Sequence, residues 1–135
     1  MMVTNDTDGI IWDMLTETSL TDVHPSYYML DKEIDLQLWK YAYRNLYQEW
    51  LNDDGESIYD IGHPVNLNLI NSLININKLT LEYKLYYWFD VNRDKYPDFF
   101  WETCPISGTP LIALPIYFHR NNRKISQLFP LVFPG

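Results

Sequence analysis

Residues 79–91 read LTLEYKLYYWFDV, and their alternation restricts the fold more than any other stretch of the chain. Leu79, Leu81, Tyr83, Leu85, Tyr87, Phe89 and Val91 take every second position, with Thr80, Glu82, Lys84, Tyr86, Trp88 and Asp90 between them. A period of two belongs to an extended backbone, whose successive side chains leave on opposite faces. The spacing predicts a long strand with its odd-numbered face on a core.

The covering layer is predicted upstream. From Asp31 to about Leu51, Ile34, Leu38, Ala42, Leu46 and Trp50 recur every four residues, widened by Trp39, Tyr41 and Tyr43, while Glu33, Gln37, Lys40, Arg44 and Gln48 gather opposite. Asp31 is placed to accept from the first turn of this helix, and Asn52-Asp53-Asp54-Gly55 supplies a stop. A second helix is expected over about residues 65–76, with Leu67, Leu69, Ile70, Leu73, Ile74 and Ile76 on one side of the wheel and Asn68, Asn71, Ser72 and Asn75 on the other. Nearer the start, Ile10, Ile11, Met14 and Leu15 after Thr7-Asp8 fit a short helix that His24-Pro25 would end.

Downstream, a β-like run at 57–61 breaks at Gly62-His63-Pro64, and Asn92-Arg93-Asp94-Lys95 reads as a turn. Strands are expected from Phe99 to Cys104, from Leu111 to His119 and from Ile125 to Phe133, with turns at 106–110 and 121–122; Pro115 and Pro130 limit the pairing. The pattern implies α+β: N-terminal helices packed on one face of an antiparallel sheet of about four strands. At 135 residues this is one domain, with an acidic helical part over about 1–76 and a sheet part over about 77–135.

The charge of −8 is unevenly spread. Residues 1–60 hold thirteen of the eighteen acids against three bases, a net of −10, whereas 61–135 hold five acids and seven bases, a net of +2. Such a field repels phosphate backbones and anionic lipid and draws a cationic partner inward. A single cysteine, Cys104, excludes an internal disulfide, and the opening residues show no secretory pattern, which together fit a reducing cytoplasm.

Catalytic signatures are missing: no phosphate-binding glycine loop, nucleophile elbow, His-Glu-x-x-His or calcium loop. His24, His63 and His119 are scattered and read as structural or surface residues. The acids Asp53, Asp54, Glu56 and Asp60 fall within eight residues but lack the alternation of an EF-hand, so they read as a charged contact patch. Tyr86, Trp88 and Asp90 project from the other face of the central strand, where the aromatic residues call for a covering layer or a partner.

Cys104-Pro105-Ile106-Ser107-Gly108 has the outline of a zinc knuckle, Cys-Pro-x-Cys-Gly, with a hydroxyl where the second thiolate would stand. Together with the helix from Val65, the strand at Leu85-Tyr86-Tyr87 and the run Arg120-Asn121-Asn122-Arg123-Lys124-Ile125, it resembles the C-terminal part, here residues 50–128, of an uncharacterised bacterial zinc-ribbon-containing family described as nucleic-acid-binding. The resemblance implies paired cysteines in both knuckles. Only Cys104 is kept, so the ribbon would survive as a metal-free hairpin.

Two functions compete. The first is a small acidic cytoplasmic binding protein, without enzyme activity, metal or cofactor, that neutralises a basic protein partner such as a toxic nuclease in the manner of an immunity protein. Its contact residues would be Asp53, Asp54, Glu56, Asp60, Tyr86, Trp88 and Asp90. The alternative is a metal-free, ribbon-derived nucleic-acid-binding module using Lys84, Arg93, Lys95, Arg120, Arg123 and Lys124, with Tyr86 or Trp88 stacking on bases.

Overall fold

Pro25 opens helix α1 (Pro25–Glu33), where a residue without an N–H costs nothing because the first turn has no acceptor for it. Residues 2–4, 12–13, 18–19, 25–79, 85–113 and 123–134 of the computed structural model are described here, with side chains from Tyr27 to Phe133. The helix expected from Asp31 divides in two. Asp35 adopts an extended conformation and caps α2 (Leu36–Asp53), its carboxylate accepting from Leu38 N at 3.2 Å, while Asp31 Oδ1 accepts from Leu36 N at 3.1 Å. Both acids therefore satisfy first-turn donors, and the capping residue is Asp35.

The buried face of α2 is Leu36, Trp39, Tyr43 and Leu46, whereas Leu38 and Tyr41 are each 67% exposed. A strict four-residue repeat turns by about 400° per step and so drifts around the helix, while alternating steps of three and four stay on one face. Helix α3 (Pro64–Leu79) starts beside His63, whose Nδ1 accepts from Val65 N at 3.2 Å. It runs to Leu79, which is 73% exposed and ends the helix instead of beginning a strand. Leu79 follows Ile76 by three positions, so one apolar residue at the boundary suits both periods. Ser72, expected on the polar side, is buried with its hydroxyl donating to Asn68 O at 2.9 Å.

The central strand is β4 (Leu85–Trp88), and residues 80–84 of the predicted strand lie outside the described residues. Its odd face is the core face, with Leu85 and Tyr87 at 0% exposure and Phe89 at 2%. Asn77 fixes where it starts, accepting from Leu85 N and donating to Leu85 O, both at 2.8 Å, as a neighbouring strand would.

The fold is α+β; among the described residues there are three α-helices and a sheet whose longest strands number four. These are β1 (Met2–Thr4), β4, β6 (Arg123–Ile125) and β7 (Leu131–Pro134), and two-residue segments β2 (Trp12–Asp13), β3 (Thr18–Ser19) and β5 (Ile112–Ala113) extend the edges. The order is β3-β2-β1-β4-β7-β6-β5. The sheet is mixed and not antiparallel throughout, because β4 is parallel to both neighbours: Met2 pairs with Leu85, and Tyr87 with Leu131. A parallel pair needs a long crossover, and between β1 and β4 the three helices provide it. Helix α3 lies against β4, with α1 and α2 against α3.

Other expectations change. Trp12 and Asp13 are in β2 where a helix was predicted; the rest of that segment is not described. The run at 57–61 holds a 3-10 turn, Ser57–Tyr59. Residues 99–101 form no strand, since Arg93 NH1 donates to Phe99 O and its guanidinium lies 4.9 Å from the Phe100 ring, holding the segment as a loop. The segment from Ile125 folds as the β6–β7 hairpin, with Ser126 N donating to Leu131 O at 3.1 Å. Of the strand expected at 111–119, Ile112 and Ala113 are extended, and 114–120 and the turn at 121–122 are outside the described residues. The turn at 92–95 is present, closed by Lys95 N to Asn92 O at 3.2 Å.

One buried polar network crosses this core. Tyr87 OH donates to Asn66 Oδ1 at 2.6 Å, and Asn66 Nδ2 donates to Asp60 O at 2.7 Å and Ile58 O at 3.3 Å. Asn66 and Tyr87 are both at 0% exposure. Removing Asn66 leaves the Tyr87 hydroxyl and the Ile58 carbonyl unpaired and buried and frees the Asp60 carbonyl, while removing the Tyr87 hydroxyl strands one group, so Asn66→Ala is expected to cost about 3 kcal/mol and Tyr87→Phe about 1 kcal/mol in denaturant unfolding. Burial holds the Tyr87 phenol well above its usual value, with Tyr43 adding to the shift. The unfolded chain therefore ionises first, and stability should fall as pH rises past about 10, more steeply in the parent than in Tyr87→Phe.

Candidate docking cleft

Two adjoining hollows, about 340 Å³ and 550 Å³, lie where the C-terminal half of α2 and the loop after it face the segment that follows β4. They share Tyr59, Val91 and Asn92. On one wall, Tyr43, Tyr47 and Trp50 descend α2 at steps of four and three, continuing its buried stripe out to the surface. The opposite wall is residues 89–94, which leave the sheet where β4 ends. Between them sits the loop 56–60, secured from beneath by Asn66 through the carbonyls of Ile58 and Asp60.

The rings form a connected series. Tyr47 and Trp50 have centroids 5.6 Å apart at 42°, and Trp50 meets Tyr59 edge-on at 6.0 Å and 87°. All three are half-buried, leaving part of each ring open to the hollow.

Charge is arranged around these rings. Arg93 grips Asp90 with two donors, Nε to Oδ2 at 2.9 Å and NH2 to Oδ1 at 2.7 Å. Lys95 Nζ reaches Glu56 Oε1 at 3.0 Å and so ties the two walls together; that hydrogen bond, with the attraction of the carboxylate, raises the lysine's pKa. Asp60 Oδ1 accepts from Gly62 N at 2.9 Å. Asp60 and Asp94 form no ion pair among the described residues. The phenol of Tyr59 is raised above its ordinary value, first by burial and then by the charges of Asp94 and Asp90, with Tyr47 and Glu56 contributing. The carboxylates of Asp94, Asp90 and Glu56 thus add to the effect of burial on this phenol.

Of the residues expected to bind a partner, Glu56, Asp60, Trp88 and Asp90 line the two hollows. Asp53 and Asp54 are exposed at the end of α2 and do not line them; Asp54 is in the left-handed region at φ 52°. Tyr86 is half-buried on β4 and is not part of the lining. Trp88 carries the Arg123 guanidinium 4.9 Å from its ring, and its neighbour across the sheet, Val132, is fully buried, so this face is covered at its centre. The sequence reading missed Tyr59 and Asp94, which lay in a run taken for β and in a turn; it placed Tyr43 in the core, where it is buried, and Trp50 with it, which is half-buried and also lines the hollow. The available signal was the step pattern 36, 39, 43, 46, 50, which carries the stripe past the last fully buried turn.

At the far end of the sheet, Cys104 is 1% exposed. Its turn closes with Cys104 N to Thr109 O and Gly108 N to Cys104 O, both at 2.8 Å, and Gly108 takes φ 73°, a conformation that favours glycine. The Ser126 turn repeats this register, its N–H donating to the carbonyl five residues on. Burial pushes the thiol up, but hydrogen bonds from the Ser107 and Ser126 hydroxyls and from the backbone of Ser107 and Ile106 outweigh it and leave the pKa below its usual value. Among the described residues no three His, Cys, Asp or Glu side chains are grouped to hold a metal ion. Compared with protein-family models, curated proteins and solved structures, the chain matches none.

Asp94→Asn should lower the Tyr59 pKa toward its ordinary value, because removing a negative neighbour favours the phenolate. Phenolate absorbance, differenced against Tyr59→Phe, measures it. An unchanged titration would show that burial alone sets the shift.

Proposed function

We propose that this chain is a small acidic binding protein of the cytoplasm that neutralises a basic protein partner, acting as an immunity-type inhibitor of a toxin such as a nuclease. The observation that carries this reading is the cleft. Glu56 and Asp60 from the loop between the walls and Asp90 and Asp94 from the wall after β4 line the two hollows beside half-buried aromatic rings. Aromatic residues contribute large contact areas at little conformational cost, and the surrounding carboxylates steer a cationic surface onto them. The carboxylates would stand where the partner otherwise holds substrate phosphates.

The pairing of charges supports protein over nucleic acid as the ligand. Arg93 and Lys95, two of the cations that a phosphate backbone would need, are engaged by Asp90 and Glu56, and Arg123 lies over Trp88. The −10 carried by the first sixty residues adds a long-range repulsion against phosphate. Among the described residues no helix is long and apolar enough to cross a membrane.

Affinity capture from the source cells should recover a basic protein whose association weakens with salt. The double variant Asp60→Lys, Asp94→Lys should associate with it roughly ten-fold more slowly at low ionic strength. Equal capture rates for parent and variant, or retention of labelled RNA in place of a protein, would overturn the reading.

A further inference from the structure

The smaller hollow has features that the general reading of an acidic surface does not use. At about 340 Å³ it sits at the small end of ligand pockets, the size for one long side chain and not for a length of chain. Its aromatic lining is a corner: Trp50 and Tyr59 stand at 87° with centroids 6.0 Å apart, and Tyr47 continues from Trp50. In this edge-to-face pair the ring that presents its edge keeps its own face for a cation to stack on, where its quadrupole attracts it.

The charges that line the hollow are Asp90, Arg93 and Asp94, a net of −1. Arg93 belongs to the wall itself. Its Nε and NH2 are held by Asp90 and its NH1 by Phe99 O, so it is fixed in place and its charge is balanced by Asp90. Asp94 is exposed and forms no ion pair among the described residues, which leaves its carboxylate as the one balancing charge for an incoming cation. The molecule already stacks guanidinium groups on aromatic rings at 4.9 Å twice nearby, Arg93 on Phe100 and Arg123 on Trp88.

We propose that this hollow receives a single arginine side chain of the basic partner, its guanidinium stacked in the Trp50–Tyr59 corner with Asp94 as counter-charge. The proposal rests on the reading of the cleft as a docking surface for a cationic protein, and it names the group that enters. Arginine is favoured over lysine because a planar, weakly hydrated guanidinium can stack on one ring while donating sideways to a carboxylate, whereas an ammonium holds its water. The methylene stem would lie along Tyr47.

The test needs no partner. Blocked arginine, N-acetyl-arginine amide, is titrated into the intact protein by NMR beside blocked citrulline, the neutral shape-mimic, and blocked lysine. The expected result is saturable, millimolar-range movement of the Trp50 indole and Tyr59 ring signals with arginine, roughly five-fold weaker binding of lysine, and weaker binding still of citrulline. Asp94→Asn should weaken arginine by roughly three-fold, and Tyr59→Leu should abolish the effect while Tyr59→Phe retains it. The phenylalanine variant separates loss of the ring from loss of the hydroxyl, and the dispersion of the Tyr59→Leu spectrum reports whether that variant is folded. Equal binding of citrulline, equal binding of lysine, or signals that move elsewhere on the surface would overturn the assignment. If arginine fails here while capture of a basic protein still depends on Asp60 and Asp94, the docking surface stands and the arginine receptor falls. If arginine binds as described and no basic protein is captured, the reverse holds.

Discussion

Tyr87 donates its hydroxyl to Asn66 at a depth where neither residue meets water, and the amide of Asn66 passes the connection to the carbonyls of Ile58 and Asp60. Strand, helix and loop are joined by one chain of hydrogen bonds across the interior. Apolar contacts set how tightly these elements pack but not the relative position of a loop, since they have no direction. A buried amide does have direction, and leaving any of its partners unpaired is costly. The loop bearing Glu56, Tyr59 and Asp60 therefore has its position dictated from below. Without that fastening, the acids would belong to a mobile surface segment and the two hollows would have no common floor.

Much of this was legible in the residues. Alternation marked Leu85, Tyr87 and Phe89 as core, and all three are buried. The helical wheels marked α2 and α3 because apolar side chains at that spacing have no stable place in another conformation. What the wheel could not give was phase, and Leu38 and Tyr41 proved exposed. Pairing direction was equally hidden. β1 is three residues long, too short to show a period, yet its position before the helices converts them into a crossover and makes the centre of the sheet parallel.

The cleft was half legible for a similar reason. Carboxylates close together in sequence, such as Asp53, Asp54 and Glu56, read as one patch, but a helix end splays them, and only Glu56 reaches the hollows. Asp90 and Asp94 arrive from thirty or more residues away because Tyr87 anchors the strand that precedes them. Trp88, expected to need either a covering layer or a partner, carries the Arg123 guanidinium over its ring and also lines the smaller hollow. Exposure of an aromatic residue is decided by what the rest of the chain lays over it, and that information is tertiary.

The Cys104 turn shows how a thiol becomes structural. Hydrogen bonding from Ser107, Ser126 and the backbone of Ser107 and Ile106 outweighs the burial that would keep it protonated. Such a group gains stability as it ionises: its folded pKa lies below the unfolded one, so the contribution is full above the ordinary thiol range and is lost as pH falls through the lowered value. The turns at Cys104 and Ser126 share a register, each N–H donating to the carbonyl five residues on. With β7 seated beside β4, the strand whose end forms one wall of the cleft is supported from both sides.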